Sequence, residues 1–266
     1  MNDQELVATA CPIINDTGWA FYFTPATGEV GAALGLDAYQ FYAMGRGGVL
    51  GDVEPAVVSA AFGYFNPGLV AALWNTGKAI VAPRVAGAAF MQASGEHGRL
   101  KLSDVEGLEG FVAAAEKVLA ATDVDGFSLF AAVAAEPRAD DLPARAMQLL
   151  TVLREYRGSA HLVAVRASGL DTKTAHFAKR PDDIAMFGWS AADAPVVDES
   201  VHAAMARAEA LTDALVTPAY SVLDAAEREE FVRVLTAIKA SAATADALQA
   251  EIKARRALTA KAATGR

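Results

Sequence analysis

The tripeptide Gly35-Leu36-Asp37 returns as Gly169-Leu170-Asp171, 134 positions further along a chain of 266 residues. Each copy is followed, after eight intervening residues, by an arginine, Arg46 or Arg180. An offset of half the chain length is what a duplicated unit leaves behind. The chemistry of the tripeptide says what that unit is. Glycine ends a helix by taking a left-handed conformation, leucine plugs the corner, and aspartate caps the free N–H groups of the next helix. Each copy therefore predicts a helix-turn-helix corner.

The rest of the pattern is helical. A polar residue before proline marks a helix start, because proline suits the first helical position and its neighbour can cap. Thr24-Pro25 thus opens a helix toward Gly35, and Asn66-Pro67 one through Leu69, Val70, Leu73 and Trp74. Between them Pro55 opens a short helix carrying Val57, Val58 and Phe62. Leu108, Phe111, Val112, Ala115, Val118 and Leu119 give a helix over 109–121, with Ser94 to Gly98 as a loop before it. From Pro143, Met147, Leu150 and Leu153 share one face of a helix that ends near Arg157, on Gly158. Val197 to Leu215 repeats at helical spacing until Pro218, and Asp224 with Glu227 boxes the start of a last core helix bearing Phe231, Val234, Leu235 and Ile238. Val49-Leu50 and Ile80-Val81 are too short to be divided between core helix and edge strand. The expected fold is mainly α, with lobes at 1–125 and 126–240 joined by long helices, and a basic helical or frayed tail over 241–266.

Composition narrows the setting. Hydrophobic residues at 53% with 21% charged residues describe a packed globular chain. The positive mean hydropathy comes largely from alanine, and no run of about 20 apolar residues is free of charge. The first residues are acidic, and Pro12 and Asp16 break their apolar run, so no secretory leader is expected and the chain reads as cytoplasmic. One cysteine, Cys11, and four scattered histidines leave no internal disulfide and no structural zinc site. Cys11-Pro12 could be a thiolate contact to haem, but a small buried or mobile cysteine is the plainer reading. No cofactor is indicated.

The segments YFTPATGEVGAALGLDAYQFYAMGRGGVLG, FGYFNPGLV and LREYRGSAHLVAVRASGLD, the Gly-Trp-Ser at 188–190, and ALTDALVTPAYSVL resemble the SalK/EvbL-type helix-turn-helix family, in order, over most of residues 14–238. The resemblance implies two tandem, degenerate winged helix-turn-helix lobes, distantly similar to fused MarR-type regulators. It implies a fold more than an activity. Only a short segment separates Trp189 from the long helix beginning near Val197, so the second wing is expected to be truncated.

Three site classes follow. DNA recognition needs arginine or lysine on phosphates and arginine, asparagine or glutamine on base edges. After Arg46 no cation occurs until Lys78, and after Arg180 none until Arg207, while Asp182, Asp183, Asp193, Asp198 and Glu199 do. The tail from Lys239 carries six cations against two carboxylates, so with −9 overall the first 238 residues carry −13. That balance argues against duplex DNA as partner. Residues 19–74 hold 11 of the 21 aromatics, a composition suited to a pocket with Tyr22, Tyr42 and Tyr64 in its walls and Arg46 or Asn66 orienting an anionic or carbonyl group. Arg157 and His161 join this candidate set. For catalysis, Glu155 could approach His161 across a turn at Gly158 and make it a general base. The reading favoured is a winged-helix-derived protein that binds a small hydrophobic or amphipathic molecule and has lost DNA readout. A MarR-like dimeric regulator is the first alternative, and an enzyme or biosynthetic accessory using His161 the second.

Overall fold

In the computed structural model, which describes residues 1–241, the chain is helical throughout. The helices are Asp3–Thr17 (α1), Pro25–Ala33 (α2), Ala38–Gly48 (α3), Pro55–Phe62 (α4), Pro67–Lys78 (α5), Pro83–Leu102 (α6), Leu108–Ala120 (α7), Ser128–Ala134 (α8), Leu142–Ala167 (α9), Thr172–Lys179 (α10), Glu199–Tyr220 (α11) and Ala225–Ser241 (α12). Two 3₁₀ turns, Pro181–Phe187 and Ala191–Asp193, lie between α10 and α11. Among the described residues there is no strand, so no hairpin wing is formed. No described helix is long and apolar enough to cross a membrane.

Both predicted corners form, with one backbone pattern. Gly35 and Gly169 take φ of +81° and +86°. Leu36 N–H donates to the Gly31 carbonyl and Gly35 N–H to that of Ala32, at 3.0 and 2.9 Å. Leu170 and Gly169 repeat this onto Val165 and Arg166, at 3.2 and 3.1 Å. These are the crossed bonds of a glycine-terminated helix. Asp37 then caps α3 and Asp171 caps α10, each through its side-chain oxygens. Beyond the corners the copies diverge. In α3, Phe41, Tyr42, Ala43, Met44, Gly45, Gly47 and Gly48 are buried, whereas α10 buries only Ala175, His176 and Phe177. Arg46 is nearly covered, while Arg180 follows the end of α10 in solvent.

The long helix does not stop at Gly158. It runs to Ala167, because Ala160, Ala164 and Val165 beyond the glycine are fully buried, and one mid-helix glycine costs only about 1 kcal/mol. Ser94 to Gly98 is the middle of α6 rather than a loop, and its small residues let α6 lie against α9. A Cβ on Gly98 would collide with the Pro143 carbonyl, and Ser94 Oγ lies 3.0 Å from Thr151 Oγ1. Likewise a Cβ on Gly48 would strike the Pro83 carbonyl, so α3 and α6 also meet backbone to backbone. Pro218 lies inside α11, which continues to Tyr220; the lost ladder bond is outweighed by burying Ala219 and Tyr220. Val49-Leu50 and Ile80-Val81 are the turns that follow α3 and α5.

Helix α9 is the hub: α6, α11, α7, α1 and α8 all pack on it. The principal core runs from Leu6 to Ile238, so residues on both sides of position 125 share it. A smaller cluster of Ala164, Val165, Leu170, Ala175, Val201, Ala204 and Ala208 joins the end of α9 to α10 and α11.

Candidate functional site

Where the two clusters meet, the helices leave a cavity of about 410 Å³. Its floor is one face of α9, where Arg154, Gly158 and His161 follow at helical spacing. Tyr42 and Arg46 of α3, Phe62 at the end of α4, and Tyr64 and Phe65 of the next loop form one wall. His176 and Lys179 of α10, Phe187, and Met205 and Glu209 of α11 form the other.

Of the residues singled out from the sequence, Tyr42, Arg46, Tyr64, Glu155, Arg157 and His161 line this space. Tyr22 and Asn66 do not. Tyr22 sits one layer deeper, its ring against Phe21, Tyr42 and Phe90 and its hydroxyl donating to Glu155 Oε1 at 3.0 Å. Asn66 caps α5 by accepting from Gly68 N–H, and donates through Nδ2 to the Gly188 carbonyl. The aromatic segment thus divides: Phe21, Phe41 and Trp74 are packed core, while Tyr42, Phe62, Tyr64 and Phe65 face the cavity.

Glu155 anchors the deep end. It is 1% exposed, and receives Arg46 Nε at 2.9 Å on one oxygen and Arg46 Nη2 at 2.8 Å on the other. Arg154 Nη1 adds a third cationic donor at 2.7 Å. Burial pushes the Glu155 carboxyl up, but Arg46 and then Arg154 outweigh it and hold it at about 2. Arg46 also donates to the Tyr42 hydroxyl and lies 4.5 Å over the Phe62 ring.

His161 has a different partner from the one expected. Without a turn at Gly158, Glu155 stays committed to the arginines, and the carboxylate nearest the imidazole is Glu209, 4.0 Å from Nε2. Burial depresses His161 to about 4, with Glu209 offsetting part of that, so the ring is neutral near pH 7. Thr212 Oγ1 donates to the Ala208 carbonyl at 2.6 Å, so at 2.9 Å from His161 Nδ1 it acts as acceptor. The proton is therefore on Nδ1, and Nε2 presents a lone pair. Glu209 itself, which burial pushes up and the Lys179 hydrogen bond pulls down, rests at about 2. Cys11 also lines the cavity, but burial pushes its thiol up to about 11, which leaves it protonated and a poor nucleophile.

One side is closed by the strap that follows α10. Phe187 packs at 4.3 Å on Phe65 and 4.0 Å on His176. Asn66 N–H donates to the Phe187 carbonyl, and Trp189 Nε1 to the Tyr64 carbonyl. Tyr64 is the one non-glycine residue with positive φ, +56°, among the described residues. Strain of that kind persists only where surroundings fix it. The sequence reading put forward none of Arg154, His176, Lys179, Phe187 and Glu209 as site residues, and set His176 aside for want of a supporting constellation. The one available signal was the spacing of Arg154, Gly158 and His161 along a single helix face.

The segments expected to face DNA offer no cations. In α5 the exposed residues are Pro67, Gly68, Ala72, Asn75 and Thr76, and over 181–206 the chain displays Asp182, Asp183, Asp198 and Glu199. No group of three or more histidine, cysteine or carboxylate side chains placed to hold a metal ion occurs among the described residues.

The described residues form helices only, with two glycine-cornered helix pairs around a shared core, which fits a helix-turn-helix protein, a DNA-binding type of fold. The chain belongs to a helix-turn-helix family whose model matches residues 8–249. No curated protein and no solved structure matches it.

Proposed function

We propose that this protein is a winged-helix-derived, MarR-like member of its family that has given up DNA readout and binds a small amphipathic molecule in the cavity over α9. The observation that carries this reading is the cavity itself: about 410 Å³, the size of a small-molecule site, with aromatic rings on one side and a lining that also holds eight charged side chains, which suits an amphipathic ligand. Loss of DNA readout rests on the burial of α3 and on the absence of lysine and arginine from residues 47–77 and 181–206, which follow Arg46 and Arg180; α10 itself carries Lys173 and Lys179. A recognition helix must lay side chains in a groove, and seven of the 11 residues of α3 are buried.

Family membership favours a DNA-binding regulator as the second reading. Challenging the full-length protein with random duplexes at about 0.15 M salt separates the two. No enriched motif is expected. A defined motif recovered over several rounds puts the regulator first.

A further inference from the structure

We infer that the cavity takes a small molecule with a single carboxylate, its head against Arg154 and Arg157 and its apolar body against Phe62, Phe65 and Phe187. The inference rests on the cavity being a binding site, and names what it selects.

Charge points this way first. Five cations line the cavity, Arg46, Arg154, Arg157, Lys179 and Arg180, against the carboxylates Asp16, Glu155 and Glu209. In a chain of net −9 this is a local excess of positive charge. The ion pairs locate it. Arg46 is matched by Glu155, Lys179 by Glu209, and Arg157 by Asp213 from outside the lining, while Asp16 is paired with Lys239. Arg154 only shares Glu155 with Arg46, and Arg180, at the exposed rim, has no ion pair among the described residues. The deep surplus is therefore one charge, the complement of a carboxylate rather than of a dianionic phosphate ester.

Donor inventory points the same way. Arg154 donates to protein oxygens through Nη1 and Arg157 through Nη2, with the Cys11 thiol also beside the Arg157 guanidinium. The Nε–H of each is buried without an acceptor, as are the hydroxyl of Tyr64 and Nε2 of His176. A guanidinium presents Nε–H and Nη–H as a fork that fits two carboxylate oxygens. Reaching these nitrogens takes a turn of each guanidinium toward the cavity, and a carboxylate there would pair donors that have no acceptor among the described residues. Between the two arginines and His161 lies Gly158, where a Cβ would find only Glu155 Oε2, at 3.9 Å. The glycines of α3 and α6 make room for a neighbouring helix; this one makes room for the cavity.

The test uses three probes on the full-length protein near neutral pH: 4-phenylbutanoate, 4-phenylbutanamide and 3-phenylpropyl phosphate, each titrated calorimetrically. The carboxylate is expected to bind at least about tenfold more tightly than the amide, the worth of one hydrogen bond to a charged group. Arg157→Gln narrows that ratio. Gly158→Leu removes binding of all three while far-UV circular dichroism and the thermal midpoint are retained. Equal affinity for acid and amide, both lost in Gly158→Leu, overturns the carboxylate inference and leaves the cavity reading standing. A phosphate ester bound about tenfold more tightly than the acid overturns the assignment of a single charge. No binding by any probe, or binding indifferent to Gly158→Leu, overturns both.

Discussion

Replacing Arg46 by methionine keeps the aliphatic stem of the side chain and removes its charge. Two charge-assisted hydrogen bonds to Glu155, at 2.9 and 2.8 Å, disappear with it, as do the bond to the Tyr42 hydroxyl and the contact 4.5 Å over Phe62. Glu155 stays buried with Arg154 and Tyr22 as its remaining partners. Breaking a buried pair from one side costs about 3–5 kcal/mol, and the surviving arginine places this case near the lower bound, about 3 kcal/mol. For a chain of this size that lowers the thermal midpoint by roughly 6–12 °C. Urea unfolding followed by tryptophan fluorescence at pH 7.5 and pH 5 measures it. The pH dependence gives the sharper test. In the native protein Glu155 is held at about 2 and is ionised at both pH values. In the variant burial is less opposed and pushes the carboxyl up. A folded pKa above the unfolded one means stability recovered as pH falls, so the gap to wild type narrows at pH 5. The double variant Arg46→Met/Glu155→Leu should be more stable than the single one, because the fully buried carboxylate is gone and the charge left without its partner, Arg154, is the more exposed of the two at 21%. A cost below about 1 kcal/mol at pH 7.5, or a gap that widens toward pH 5, would refute the view that Arg46 neutralises a buried carboxylate.

Gly158→Ala adds a methyl group where there is space and improves helix propensity, so calorimetry should show a gain of about 0.5–1 kcal/mol; a loss would show that the floor is not open. His97, His161 and His176 are each depressed to about 4 by burial, against about 6.5 when unfolded. Their contribution is complete above pH 6.5 and is lost as pH falls toward 4, and their ring proton resonances should not titrate above about pH 5; a midpoint near 6.5 for any of them contradicts its burial. Asp37→Ala and Asp171→Ala should each cost about 1 kcal/mol in urea unfolding as lost helix caps. The two corners share no partner, so the double variant should show the sum to within about 0.5 kcal/mol.

Local signals in the sequence were legible wherever a few neighbouring residues decide the outcome. The Gly-Leu-Asp corners, the caps at Thr24, Asn66 and Asp224, and the helices opened by Pro25, Pro55 and Pro67 depend on hydrogen bonds within one turn. Gly158, Pro218 and the run from Ser94 to Gly98 were misread for one shared reason. Each carries a local penalty that tertiary packing overrides, and burial of Val165, Tyr220 or the α6–α9 contact lies outside any short window. Helix α1 escaped notice although Leu6, Val7, Ala10, Cys11 and Ile14 share one buried face, because Pro12 and Asp16 were read as breaks; the seven-residue α8 was too short to show a period. Tyr42, Arg46, Tyr64, Arg157 and His161 were picked out by residue type, and the fold brings them to one cavity. Glu209 and Phe187 were invisible because their partners, Arg157 and Phe65, are distant in sequence.

The order of synthesis gives the Arg46–Glu155 pair a further meaning. The two residues are 109 positions apart, and at about 5–20 residues per second Arg46 is added to the chain some 5–20 s before its partner exists. During that interval both α3 and α6 are available to each other, but the face of α6 that packs on α9 has no partner. A first half without α9 would therefore expose apolar surface of α6 and leave Arg46 without its carboxylate, since α9 supplies both. Translation pausing or chaperone loss ahead of residue 167 should therefore be the most damaging moment in this protein's synthesis.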